Sequence, residues 1–404
     1  AADGCVIPAD GLIEILSVNE NGYAVSAADL PFGSYYLQEM STDSHYILSD
    51  AKYPFEFSYA GQDTSLVEIQ ANDGNAIGNE LIYGEIIGAK VDEDGTGLHG
   101  AVIGLFHPDE TEFNENTAIK TAVSDEDGGF AFTMIPYGNW VIREIESPAG
   151  YVLSEAIIPV TISEDGAVVE IQITNSRIRG NVQLTKVDKD YPENTLAGAE
   201  FELYADSNSN GEFDSDDELL GMLQELTGGV YQMNDLLYGG YFVKEKTAPT
   251  GFFLDRNAYY FQISENGETV IVENEAGKGF INAAQTGSIR IEKTSEDKVV
   301  KGFTFKVEGT DITGQPFCKE YVTDENGEIH IEGLRIGDYV ISEVANKATE
   351  KYELPDAVTV TVLDGKTTVA KFYNKLIPET PDIPKTGDET NTPLWGTLAL
   401  IWLL

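Results

Sequence analysis

Three residue types that can react with one another recur through this chain in a fixed order. Glu39, Glu144, Glu245 and Glu343 end the runs "GSYYLQE", "GNWVIRE", "GGYFVKE" and "GDYVISE", which share the pattern Gly-x-aromatic-x-x-x-Glu. Lys90, Lys186 and Lys293 end "GEIIGAK", "GNVQLTK" and "GSIRIEK". Asn79, Asn175, Asn282 and Asn374 end "NAIGN", "VEIQITN", "GFIN" and "AKFYN". In an extended strand successive residues alternate faces, so Glu144 lies with Ile142, Lys186 with Leu184, and Asn175 with Ile173. Each polar residue therefore shares the apolar face of its strand.

Chemistry gives that trio a purpose. Burial disfavours both charged forms, leaving a neutral amine and a neutral carboxylic acid. A neutral amine is a nucleophile, and a side-chain amide becomes an electrophile once its carbonyl is polarised. A Glu beside both can shuttle protons and hydrogen-bond the developing charge. The product is a Lys–Asn isopeptide bond with ammonia released, once per site, which is self-processing and not turnover. A single copy could be explained by a lysine reaching to water at a strand end, a Glu paired with it, and a turn-capping Asn. Three copies with one order, phase and spacing favour the reactive reading.

The elements that position these residues are strands in repeated domains. The glutamates are spaced 39→144→245→343, steps of 105, 101 and 98 residues, and each Asn precedes the next unit's Lys by 11 residues (79→90, 175→186, 282→293). Four copies at that interval in 404 residues predict about four domains of roughly 100 residues. Runs such as "VVEIQIT", "SIRIEK" and "AVTVTV" alternate polar and apolar residues and are rich in Val, Ile and Thr, and no long helical period appears. "DELLGMLQEL" reads equally as a short helix or a strand. The fold class is all-β, sandwiches in series. The expected boundaries are 1–83, 84–179, 180–286, 287–377 and a tail, 378–404.

Composition excludes several functions. A net charge of −44 opposes binding to nucleic acid or anionic lipid and suits a self-repelling, solvated surface. Cys5 and Cys318 fall in different units, too few for a disulfide framework. His99 and His107 lack a Cys or His partner set for zinc, and no nucleophile–base motif is present, so no enzyme is expected.

The units resemble the SpaA-like, collagen-binding-protein B-type (prealbumin-like) domains of Gram-positive surface proteins and pilins. The matching residues are the opening G-x-φ-x-φ-x-K, the strand "LAGAEFELY" (with "LHGAVIGLF" in the unit before), the Glu-containing "VKEKTAPTGF", and the closing Asn. The resemblance implies Ig-like sandwiches in which Lys90 joins Asn175, Lys186 joins Asn282 and Lys293 joins Asn374, assisted by Glu144, Glu245 and Glu343. The last unit departs: "ISEVANKATEKYEL" lacks the Ala-Pro-x-Gly-Tyr ending.

After Leu376 the chain turns Pro-rich, and "IPKTG" (Ile383, Pro384, Lys385, Thr386, Gly387) resembles the LPxTG signal cut by sortase between Thr and Gly. The resemblance implies a sortase partner, transfer to a peptidoglycan precursor or a pilin subunit, and a secreted, wall-anchored location. The apolar run Leu394–Leu404 is shorter than the roughly 20 residues of a membrane span, so the natural product is expected to continue. No Tyr-Pro-Lys acceptor motif occurs; "KYPFEF" and "DYPENT" do not match it, which favours an accessory pilin or adhesin over a shaft subunit. Two other readings fit the same residues: the stalk of a larger wall-anchored enzyme, and a module that binds a host protein or glycan.

"DSNSNGEFDSDDE" adds a candidate Ca²⁺ loop. Asp206, Asn208, Asn210, Asp214 and Asp217 stand at positions 1, 3, 5, 9 and 12, with Gly211 at the bend and the Glu212 carbonyl at position 7. Lastly, the first unit has Glu39 and Asn79 but no opening lysine strand. Residues 11–25 match the middle of a unit, so a sandwich lacking one strand is expected there, its opening strand lying upstream.

Overall fold

The computed structural model describes residues 8–379. Cys5, the Ile383–Gly387 pentapeptide and the apolar tail lie outside the described residues. The fold is all-β; among the described residues the one helical turn is Asn72–Gly74. The chain divides into two compact units, one of residues 1–181, 235–239 and 262–268, the other of residues 182–234, 240–261 and 269–404.

The first unit contains a complete two-sheet domain. One sheet orders Gly129–Pro136, Tyr83–Asp92 and Val168–Asn175; the other orders Lys120–Val123, Val102–Phe106, Gly138–Glu146 and Ile158–Ile162. Alternation fixes which side of each strand is dry: Ile86, Phe130, Phe132 and Ile173 from one sheet meet Ile103, Leu105, Ile142 and Ile162 from the other. The opening and closing strands run parallel as neighbours, with Lys90 opposite Ile173 and Asp92 opposite Asn175.

Residues 8–83 of that unit differ from the expected sandwich. Gly33–Gln38 pairs antiparallel with Lys52–Phe57, and Tyr46 bridges Leu81, but residues 8–32 and 75–80 lie in no strand. Within residues 75–80, Asn75 N donates to Asn72 O at 2.9 Å, Ala76 O accepts from Asn72 Nδ2 at 3.1 Å and Glu80 O accepts from Ile47 N at 2.8 Å.

The second unit holds two further lysine-to-asparagine domains. In the earlier, Glu200–Ala205 pairs antiparallel with Glu218–Met222 and with Gly239–Thr247, while Lys186–Asp188 runs parallel to Phe280–Asn282. "DELLGMLQEL" is thus strand, not helix. In the later, Thr286–Ser295 lies between Glu328–Arg335 and Thr367–Leu376, facing a sheet of Pro316–Val322, Thr304–Asp311, Gly337–Val344 and Val358–Val362. Phe303, Phe305, Tyr339, Ile341 and Phe372 fill its core. Arg335 ties these two domains together. Its guanidinium donates to Asp188 at 2.5 and 2.7 Å, to Asp190 at 2.8 Å and to Asp311 at 3.4 Å, and stacks over the Tyr191 ring at 4.7 Å.

Candidate functional site

Each complete domain brings its Lys, Glu and Asn together in the core. The opening strand carries the lysine near its end and the parallel closing strand carries the asparagine. The Glu comes from the opposite sheet. The lysine pairs in register with the residue two before the Asn: Lys90 with Ile173, Lys186 with Phe280, Lys293 with Phe372. Because side chains alternate, that register aims both polar groups into the same layer.

In the first complete domain Lys90 Nζ stands 3.6 Å from Glu144 Oε1, both side chains fully buried. Asn175 Nδ2 donates to that same oxygen at 2.9 Å. In the middle domain Lys186 Nζ is again 3.6 Å from Glu245 Oε1, and Asn282 Nδ2 donates to the two Glu245 oxygens at 2.8 and 2.9 Å. Burial pushes Lys186 down to about 8 and lifts the Glu245 carboxyl above its ordinary range. Lys90 is lowered for the same reason. Desolvation therefore moves amine and acid toward their neutral forms together.

The last domain assembles the trio less tightly. Asn374 Nδ2 donates to Glu343 Oε1 at 3.0 Å, but Lys293 Nζ donates to the Thr294 carbonyl at 2.7 Å and lies 4.2 Å from the Phe303 ring centroid. A difference in the Glu strand accompanies this. In the first two domains a β-bulge follows the Glu, between Val102 and Ile103 and between Glu200 and Phe201 on the facing strand. Ten residues after the Glu, Ser154 N and Asp255 N then donate to Glu144 Oε2 and Glu245 Oε2 at 2.7 and 2.8 Å. Phe305 pairs with Glu343, and Thr304 with Val344, without a bulge, and Glu343 Oε2 is buried without a partner. This is the domain whose sequence lacks the Ala-Pro-x-Gly-Tyr ending. A bulge re-aims the strand and the chain leaving it, which is how that sequence reaches the carboxyl.

One feature unites every copy. Asn79, Asn175, Asn282 and Asn374 each hold a buried Oδ1 with no hydrogen-bond partner. An unmet buried acceptor costs about 1–3 kcal/mol, and it recurs at the same atom of every copy. Glu39 and Asn79 reproduce the carboxyl–amide pair at 2.7 Å without a lysine.

Sequence reasoning missed three glycines. Lys90 N, Lys186 N and Lys293 N donate to the carbonyls of Gly128, Gly229 and Gly327 at 2.7, 2.8 and 2.8 Å. These glycines have φ of +83°, +84° and +79°, and a Cβ on Gly128 would sit 2.2 Å from the Lys90 carbonyl oxygen. They fix the lysine backbone from the neighbouring hairpin. The recurring "DEDGGF" and "DENGEI" could have revealed two of them.

The acidic loop is drawn together by hydrogen bonds among its own residues. Asp206 accepts from the backbone N–H of Asn210 and Gly211, Asn208 and Asn210 turn their amide nitrogens to Asp214, and Asp217 accepts from Asp214 N. Glu212 N donates to Asn210 Oδ1 at 2.7 Å. Asp217 Oδ1 is buried with no hydrogen-bond partner, and among the described residues no group of three or more His, Cys, Asp or Glu is arranged to hold a metal.

Residues 84–177, 180–278 and 287–376 match the SpaA family model, described as a prealbumin-like fold domain. No curated protein matches the chain. Among solved structures, the Bacillus anthracis TIE protein is 22% identical with a TM-score of 0.56, covering 74% of this chain and 52% of its own, so the chain spans about half the length of that protein. BcpA, the major pilin subunit of Bacillus cereus, is 15% identical (TM-score 0.36; 73% of this chain, 100% of its own). The full-length major pilin SpaD from Corynebacterium diphtheriae is 13% identical (TM-score 0.22; 73% of this chain, 97% of its own).

Proposed function

Since the chain belongs to the SpaA family of prealbumin-like fold domains, we propose that it is a stalk or accessory pilin of a Gram-positive cell surface, with three domains each sealed by an autocatalytic Lys–Asn isopeptide bond. The observation that carries this reading is the buried Lys186–Glu245–Asn282 cluster, repeated at Lys90–Glu144–Asn175 and, more loosely, at Lys293–Glu343–Asn374.

In the middle domain the neutral Lys186 amine attacks Cγ of Asn282. The new C–Nζ bond forms as the carbonyl π pair moves onto Oδ1; the protonated Glu245 gives its proton to that oxygen and takes one from the attacking nitrogen on its other oxygen. Glu245 then gives a proton to Nδ2 and recovers the one on Oδ1 as the carbonyl re-forms, the C–Nδ2 bond breaks, and ammonia leaves. Lysine amine plus primary amide become secondary amide plus ammonia, and Glu245 ends as it began. The lowered Lys186 and raised Glu245 support this assignment of roles.

Because opening and closing strands are parallel neighbours, a bond between them lets tension pass from one to the other while bypassing the residues between. Anchoring is assigned to Ile383–Gly387, with sortase cleaving after Thr386 and passing its carbonyl to a wall-precursor or pilin amine. Its check is incubation with a sortase and hydroxylamine, which should release a product ending at Thr386.

The decisive experiment for the cross-links is the intact mass of the denatured chain. Three ammonia losses give a deficit of about 51 Da, roughly 17 Da each. An unchanged mass would overturn the proposal.

A further inference from the structure

The Gly-x-aromatic half of the recurring Glu motif takes no part in the buried trio, yet it has a geometry of its own. The aromatic side chain turns back to donate to the carbonyl four residues before it: Trp140 Nε1 to Pro136 O at 3.1 Å, and Tyr339 Oη to Arg335 O at 2.8 Å. That bond braces the bend between Gly129–Pro136 and Gly138–Glu146 in one domain, and between Glu328–Arg335 and Gly337–Val344 in another. The apex residue of each bend sends its N–H outside the hairpin. Tyr137 N donates to Ile82 O and Ile336 N to Gln285 O, each at 3.1 Å.

Those acceptors lie where one repeat passes into the next. Gln285 N donates in turn to Gly251 O at 2.7 Å, so one linker residue is bonded to the Ala-Pro-x-Gly loop before it and to the apex after it. The same relay recurs at Ile82, between His45 O at 2.9 Å and Tyr137 N, and at Ile178, between Gly150 O at 2.8 Å and Tyr238 N at 3.0 Å. Around Gln285 two further contacts converge. Gly251 has φ of +89°, and a Cβ on it would sit 2.5 Å from Ile312 Cγ2. Ile312 N donates to Ile336 O at 2.9 Å, which ties that side chain to the same apex. Arg335, the residue before the apex, donates to Asp188 and Asp190 of the earlier domain. Behind the loop, Phe252 bridges Ala284, and both are buried with Leu196.

A residue whose N–H and C=O are bonded to different bodies cannot turn about φ or ψ without losing one of them, whereas a free tether has neither bond to lose. We propose that the Arg335–Ile336 apex is a docking surface whose partner is the preceding domain of the same chain. Gly251, Gln285 and Asp188 form the seat, and the two domains move as one stiff body. The sequence mark of such a joint is Ala-Pro-x-Gly in one repeat followed by Gly-x-aromatic in the next. Bending load then crosses through the relay and the arginine fork and does not concentrate in the linker. The joint holds whether or not Lys186 and Asn282 are bonded.

The test uses the full chain with Cys5→Ser and two spin labels. One sits on Cys318, exposed in the last domain, and the other on Gln224→Cys, exposed in the domain before it. Double electron–electron resonance should give one narrow distance distribution. Inserting Gly-Gly-Ser between Ala284 and Gln285 should widen it about two-fold or more. Arg335→Gln combined with Tyr339→Phe should widen it less. In the uninserted chain the Gln285 and Ile336 amides should exchange about 100-fold or more slowly than in a free peptide. The insertion should release both, while the Lys186 and Lys293 amides, held inside their own domains, keep their protection. A broad or multiple distribution in the uninserted chain overturns the proposal, whether or not the insertion variant folds. Free-peptide exchange at Gln285 and Ile336 beside protected Lys186 and Lys293 amides also overturns it.

Discussion

Lys293 and Glu343 stand outside ion-pair reach of each other, although Lys90–Glu144 and Lys186–Glu245 both close to 3.6 Å. The lysine instead binds the Thr294 carbonyl, and the bulge that follows Glu144 and Glu245 is absent after Glu343. The last domain should therefore cross-link slowest. In freshly translated protein sampled over time, the species lacking one ammonia loss should map to peptides containing Lys293 and Asn374. Equal rates in all three domains would show that the Lys293 orientation is easily exchanged.

Glu245→Gln keeps the shape of the side chain but cannot shuttle protons. That variant should lose the deficit of about 17 Da from the middle domain alone. By analogy with disulfide loop closure over a comparable span, the missing bond should lower that domain's stability by about 4–5 kcal/mol. Mass spectrometry and chemical denaturation of the same sample check the two effects separately.

Asn282→Ala leaves Lys186 as a free buried amine. Its folded value, about 8, lies below the ordinary 10.5, so between those pH values the unfolded chain binds a proton that the folded chain does not. Stability at this site should accordingly rise with pH across that window. Under the proposed chemistry the wild type has no amine left there, so the stability gap between the two proteins should narrow from about pH 8 upward. The ¹³Cε shift of Lys186 in the variant should titrate near 8; a midpoint near 10.5 would show that the amine is hydrated.

Gly128→Ala tests the backbone clamp on Lys90. A Cβ there meets the Lys90 carbonyl oxygen at 2.2 Å and the Leu98 nitrogen at 2.9 Å, in a left-handed conformation. The domain should lose about 2 kcal/mol or more, and its cross-link should form more slowly while the other two are unaffected. Site-resolved mass mapping distinguishes this from a general folding defect.

Arg335→Ala would leave Asp188, only 1% exposed, as a buried charge without its bidentate partner. The expected loss is about 3–5 kcal/mol, with faster amide exchange around residues 188–190 and 311. Arg335→Lys should recover only part of it, because a point charge cannot reproduce the paired donors. Unchanged exchange would mean that Tyr191 and the surrounding packing suffice.

The strands and the reactive trio were legible because a period of two leaves little freedom. A lysine in phase with Val182 and Leu184 has to point where they point. The backbone partners were not legible, since Ser154 N and Asp255 N act through a group every residue possesses; only the turn geometry gives them their role. At Lys293 phase specifies the face but not the rotamer: the side chain is buried, yet its amine turns to the Thr294 carbonyl. For residues 8–83 the pattern predicted a sandwich short of one strand, and the two-stranded sheet reflects how much of a sheet's order depends on its neighbours.

Each site draws its amine, carboxyl and amide from three separate strands, so it can react only in a molecule whose strands have met. The ammonia does not return, and the bond outlasts the arrangement that made it. Under the proposed chemistry, every molecule therefore carries a written history of its own folding, one mark per domain, which heat or denaturant cannot erase. Material recovered long after its shape is gone would still disclose which of its domains had once been native.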